Sequence, residues 1–250
     1  MQAVLYVAHG SRVKAGIDEA IHFIDTVKPQ INVDIQEICF LELAEPSILK
    51  GIDICISKGA TSIAIIPILL LSANHAKQDI PHEIKKAKER YPSIPMSVGK
   101  PFGVDERLIN SLHDRVLEKT RNKSDELTIL LIGRGSSDSS VQTDLQEIAN
   151  HLKRKYHYAN VDTCFLYGRG PSFEEKLMDL NKEESPKSVY IIPYLLFTGL
   201  LKLGIQKKIM QQRFSKEQIV LCECLGYDSN VCQVLVERVE ETLHSLRERV

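Results

Sequence analysis

The sequence predicts an α/β protein built of two similar halves, each a four-stranded parallel sheet flanked by helices. Three observations lead there. Strand-like apolar runs alternate with helical patterns four times before residue 120, and the alternation resumes after it. Such alternation calls for parallel strands joined by right-handed crossovers. The runs at 63–71 and 189–197 are almost continuously apolar, as strands covered on both faces require. Finally, the two halves match in register. His9 and Arg134, Cys39 and Cys164, Pro46 and Pro171 each stand 125 residues apart, and Pro67 and Pro193 stand 126 apart. Four matches in nearly one register indicate a duplicated domain, divided here as 1–122 and 123–250.

In chain order, Val4 to Ala8 is the first strand, followed by His9-Gly10-Ser11-Arg12. Ile17, Ala20, Ile21, Ile24 and Val27 then give one buried helical stripe. The second strand covers 33–41. Pro46 and Ser47 open the next helix, and Gly59 stops it. The third strand, 63–71, changes abruptly to Ser72, Asn74, His75, Lys77 and Asp79. Pro81 suits the first turn of a helix over 81–91, with Asp79 as its cap. A strand over 94–98 and a helix over 105–119 complete the half. The polar, aperiodic stretch 120–126 is the linker. The second half reads as a strand 127–132, a helix 140–156, a strand 161–166, a helix opened by Pro171-Ser172, strands at 189–197 and 219–224, and a helix 230–247.

Bulk properties narrow the function. The 250 residues carry a formal net charge of −1 and are 43% hydrophobic. That balance does not favour nucleic acid or an anionic membrane as a partner. No apolar run approaches the roughly 20 residues that span a bilayer. The start lacks a positively charged leader, so a cytoplasmic protein is expected. The six cysteines lie mostly in apolar segments and read as reduced core thiols. Without CxxC there is no iron–sulfur pattern, and without a Walker A sequence no nucleotide loop. His22, His113, His151, His157 and His244 read as surface residues, as does His82.

The duplication is chemically lopsided. Arg134 stands where His9 does, Tyr167 where Glu42 does, and Leu201 where His75 does. The apolar positions are kept while three metal-ligating side chains are lost together. His9, Glu42 and His75 follow the first, second and third strands. In the doubly wound order 2-1-3-4 those strands are neighbours roughly 4.8 Å apart, and ligands bind at their C-terminal edge. Two imidazoles and a carboxylate suit Fe²⁺, Co²⁺ or Ni²⁺ with coordination positions left open. The same spacing also fits three unrelated polar residues at loop starts.

Leu5-Tyr-Val-Ala-His-Gly-Ser-Arg12, Phe40-Leu-Glu-Leu-Ala-Glu-Pro-Ser47 and Pro67-Ile-Leu-Leu-Leu-Ser-Ala-Asn-His-Ala-Lys-Gln-Asp-Ile-Pro81 resemble the sirohydrochlorin chelatases, class II chelatases, most nearly the two-domain Bacillus type. The resemblance covers essentially the whole chain. It implies two flavodoxin-like lobes with an active-site cleft between them, of which the lopsided duplication leaves the C-terminal half to supply a wall. It implies that His9 and His75 bind the incoming metal and that Glu42 assists as ligand or proton acceptor. It further implies insertion of Fe²⁺ or Co²⁺ into sirohydrochlorin with no ATP or other cofactor. The chain lacks the histidine-rich tract and the C-terminal cysteine cluster of some cobalt enzymes, which leans toward iron. A cobaltochelatase and a non-catalytic metal or tetrapyrrole carrier are the alternatives. Two lobes in one chain make a monomer the expectation.

Sirohydrochlorin carries carboxylates around its rim, so cations and helix N-termini should meet it. Ser11, Arg12, Lys77, Arg134, Ser136 and Arg169 all fall in loops after strands and are the expected substrate-binding residues.

Overall fold

The computed structural model describes residues 1–72, 75–182, 188–212, 214, 218–226 and 228–248, and of residues 75 and 76 the backbone alone. The chain divides into two compact units. Unit 1 comprises Met1–Gly103 with Cys232–Val250, and unit 2 comprises Val104–Val231.

Unit 1 holds β1 (Gln2–Ala8), β2 (Ile35–Phe40), β3 (Ser62–Ile68) and β4 (Met96–Val98), all parallel in the order β2-β1-β3-β4. Unit 2 repeats the plan with β5 (Thr128–Gly133), β6 (Asn160–Phe165), β7 (Val189–Tyr194) and β8 (Ile219–Leu221) in the order β6-β5-β7-β8. The helices are α1 (Lys14–Val27), α2 (Ile48–Ser57), α3 (Ile80–Arg90), α4 (Glu106–Leu117), α5 (Ser140–Tyr156), α6 (Phe173–Lys182), α7 (Leu200–Met210) and α8 (Ser229–Arg247). This is the doubly wound order that the alternation predicts. Every residue of β3 and of β7 is buried, which is why both strands read as unbroken apolar runs.

Proline inside such a strand needs a reason, because it cannot donate to the ladder. Pro67 pairs with Val7 of β1. It lies two residues past the last β3–β4 pair, Ile65 with Val98, so no β4 partner waits for its missing N–H. Pro193 repeats the arrangement, two residues past the Ile191–Leu221 pair. The strand itself ends at Ile68, short of residue 71. The carbonyls of Leu69 and Leu70 turn to the amides of Phe102 and Gly103 instead of continuing a ladder.

The division into units differs from a cut at 122/123. α4 belongs with unit 2, where Leu108, Ile109, Leu112 and Val116 are buried and the helix packs on α5 and β7. The last helix, from Cys232 onward, belongs with unit 1. There Thr242 Oγ1 sits against Gly99, and Arg247 Nε donates to Gln2 Oε1 at 3.2 Å. The two helices occupy matching positions in the repeat, so the exchange is reciprocal. Periodicity tells which face of a helix is apolar, not which sheet that face covers.

Three local expectations change. Asp79 holds the N-cap position of α3, but with helical dihedrals and no side-chain capping bond. A π-helical turn, His75–Asp79, already runs into α3 and removes the need for a cap. α7 has no counterpart in the sequence reading, because exposed leucines and a buried lysine blur the stripe of Leu201, Ile205 and Ile209 that packs on the core. Leu200 and Leu203 are exposed, while Lys202 is buried and paired with Glu223, whose carboxyl it holds below the usual range. His113 is half-buried, not a surface residue. Its ring stacks on Tyr156 at 3.6 Å and 4°, and Nδ1 lies 2.7 Å from the Tyr158 hydroxyl. All six cysteines are buried and none is in a disulfide, as expected of reduced core thiols.

Candidate metal-handling site at the sheet edge of unit 1

The site begins with level strand ends. Ala8 of β1 lies opposite Phe40 of β2 and Ile68 of β3, so the residues that follow leave one edge together. Pairing continues past the strands. Leu41 N–H donates to Ala8 carbonyl at 2.9 Å, and Glu42 N–H to His9 carbonyl at 3.1 Å. That second bond sets His9 beside Glu42. Gly10 makes it possible, since it adopts φ +92 and a Cβ there would stand 1.8 Å from the Glu42 carbonyl oxygen.

The side chains meet as well. His9 Nε2 lies 3.5 Å from Glu42 Oε1, with the imidazole 23% and the carboxylate 44% exposed. His9 Nδ1 lies 3.3 Å from the Gly10 carbonyl. In the tautomer that donates from Nδ1, the Nε2 lone pair faces the carboxylate. Two ligands at about 2.1 Å from one ion are about 3.0 Å apart at a right angle and about 3.4 Å at the tetrahedral angle. The observed spacing therefore fits two adjacent positions on a single divalent ion. Among the described residues no third His, Cys, Asp or Glu completes such a group. The His75 side chain lies outside them; its backbone opens the π-helical turn seven residues beyond β3.

The remaining candidates fall on the two sheet edges. Arg12 and Lys77 are exposed in unit 1, and Arg134 and Arg169 in unit 2. Ser11 and Ser136 are half-buried, and each hydroxyl closes a turn. Ser11 Oγ accepts from Val13 N–H at 3.0 Å and Ser136 Oγ from Asp138 N–H at 3.1 Å. Their O–H protons remain for donation, so a carboxylate partner is compatible with that turn role.

Unit 2 keeps the turn but not the ligands. Leu166 N–H donates to Gly133 carbonyl at 3.1 Å and Tyr167 N–H to Arg134 carbonyl at 3.0 Å. Gly135, at φ +90, would bring a Cβ to 1.8 Å from the Tyr167 carbonyl oxygen. The isolated bridges Phe40–Ser47 and Phe165–Ser172 match too. These turn bonds are thus duplicated, while the histidine and the carboxylate at these positions occur in unit 1 only.

Comparison with known proteins accounts for the double pattern. The CbiX family pattern matches residues 3–119 and again 128–242. The chain belongs to the CbiX family. Within reach of this CbiX chain is the sirohydrochlorin ferrochelatase of Priestia megaterium, 48% identical over 245 residues, covering 98% of the chain and 92% of the relative. A sirohydrochlorin cobaltochelatase of the same organism is 36% identical and covers 97% of the chain and 80% of the relative. Among solved structures, SirB from Bacillus subtilis with Fe³⁺ matches at TM-score 0.88 and 40% identity, over 99% of this chain and 97% of that one.

One residue of the CbiX loop escaped the sequence reading. Leu43, next to Glu42, has φ 63 and is 48% exposed. The repeat carried the signal, because the matching residue of the second half is Gly168.

Proposed function

We propose that this chain is a sirohydrochlorin ferrochelatase in which His9, Glu42 and His75 receive Fe²⁺ and pass it to the macrocycle. The observation that carries the reading is the 3.5 Å approach of His9 Nε2 to Glu42 Oε1 at a sheet edge whose duplicate has neither group. Its support in sequence is the near full-length likeness to the ferrochelatase of P. megaterium.

Insertion exchanges two pyrrole protons for one Fe²⁺, and four ring nitrogens replace the ion's protein and water ligands. Neutral imidazole holds the ion without trapping it, and near neutrality also takes up a proton. The Glu42 carboxylate compensates charge as the ion arrives and accepts a proton as it leaves. Arg12, Lys77, Arg134 and Arg169, with the Ser11 and Ser136 hydroxyls, are the proposed partners of the substrate carboxylates. The reaction needs no nucleotide, in keeping with the missing Walker A sequence, and the single chain works as a cytoplasmic monomer.

The test is insertion followed by absorbance under anaerobic conditions. His9→Ala, His75→Ala and Glu42→Gln each slow Fe²⁺ insertion by about 10²–10⁴-fold while circular dichroism shows an intact fold. Wild-type rates in His9→Ala overturn the assignment. The likeness to a cobaltochelatase motivates the same assay with Co²⁺ at limiting free metal. A carrier instead of a catalyst would leave the rate at that of the uncatalysed reaction.

A further inference from the structure

The geometry points to Leu43 as a substrate-contacting residue that lies against the face of the tetrapyrrole beside the metal site. The inference rests on the proposed function and adds the part of the substrate that the metal ligands leave unaddressed.

Leucine with φ 63 occupies the left-handed region, where its Cβ crowds the following carbonyl oxygen. A buried leucine would offset that by packing, but Leu43 is among the exposed large hydrophobic residues. The fold does not demand leucine here. In the duplicated loop the same position is Gly168 at φ 81, the residue such backbone favours. The two loops also differ in a bond. Arg169 N–H donates to Ser136 carbonyl at 3.2 Å, and a Cβ at Gly168 would stand 2.4 Å from that oxygen. No such bond joins Ala44 to Ser11, both described residues. Unit 1 therefore forgoes a hydrogen bond and accepts a strained dihedral, and in return holds an isobutyl group out from the sheet edge.

Strained backbone of this kind clusters at active sites and ligand clamps. Its location names the occupant. Leu43 adjoins Glu42, whose carboxylate faces His9, and exposed Arg12 and Lys77 stand on the same edge. An apolar contact beside a metal site, with cations around it, complements a flat conjugated ring with carboxylates on its rim. Neither a bare ion nor a small polar metabolite needs the leucine.

The experiment compares Leu43→Gly and Leu43→Asn, both at ease in the left-handed region, with Leu43→Met. Melting temperature is read alongside the dissociation constant for metal-free sirohydrochlorin, titrated by absorbance. Glycine and asparagine raise the melting temperature by about 2–4 °C. They weaken sirohydrochlorin about tenfold, or about 1.4 kcal/mol. Methionine binds close to wild type. Wild-type affinity in both the glycine and asparagine variants overturns the assignment of Leu43, while iron insertion by the wild type still upholds the proposed function. A wild type that neither binds sirohydrochlorin nor inserts iron overturns both.

Discussion

Alanine at Gly10 isolates what the turn does for the site. The added methyl would lie 1.8 Å from the Glu42 carbonyl oxygen, and real Cβ contacts under 3.0 Å essentially do not occur. The Glu42 backbone must therefore retreat by at least about 1.2 Å. A displacement of about 1 Å at a reacting centre costs on the order of 100-fold in rate. Strained backbone at φ +92 adds about 1–3 kcal/mol of destabilisation. The duplication supplies a matched control. Gly135→Ala makes the same collision, at the same 1.8 Å, with the Tyr167 carbonyl oxygen. The two variants should lose similar stability in thermal melts. Gly10→Ala should lower kcat for Fe²⁺ insertion about 100-fold, whereas Gly135→Ala, which moves Arg134 and Tyr167, should raise KM for sirohydrochlorin and leave kcat nearly unchanged. Equal losses of kcat in the two variants, or a wild-type kcat in Gly10→Ala, would refute a metal site confined to unit 1.

Two further predictions concern the scaffold. Burial pushes the thiols of Cys55, Cys164 and Cys222 up to about 12 and raises Cys39 as well. Native protein should thus resist a thiol-specific reagent at pH 8, and all six cysteines should react in denaturant. Rapid labelling of the native fold would contradict the burial. Desolvation lowers the pKa of His113 below its usual value near 6.5, opposed in part by Asp114. Folding then favours the neutral ring, so its contribution is complete above about pH 6.5 and is lost as pH falls through the depressed value. Urea midpoints measured from pH 7 to pH 5 should fall, and less steeply in His113→Gln. Parallel slopes in the two proteins would show that this ring is not responsible.

The sheet order and the site edge were legible because both follow from local signals. Buried parallel strands betray themselves as apolar runs, and a polar residue just after such a run must sit at the C-terminal edge. That reasoning places His9 beside Glu42, and the structure brings the two side chains together. The arithmetic of the repeat adds what one strand cannot, namely which positions the fold keeps and which it abandons. α7 was invisible for the opposite reason. Its buried Lys202, paired with Glu223, and its exposed Leu200 and Leu203 blur the stripe of Leu201, Ile205 and Ile209 that packs on the core. The left-handed backbone of Leu43 was hidden because leucine gives no sign of a positive φ; only its glycine counterpart does. The ownership of α4 and α8 depends on contacts far apart in the chain, and no periodicity encodes those.

That crossed ownership governs how the protein tolerates being cut. A gene split at residue 122 would give the first fragment α4, which covers the other fragment's sheet. It would also take away the stretch from Cys232 onward that covers its own. Each piece would carry a bare apolar flank and a helix with nothing to cover, and would need its counterpart, or a second copy of itself, to close. The unit that was copied and the unit that folds are out of step by one helix.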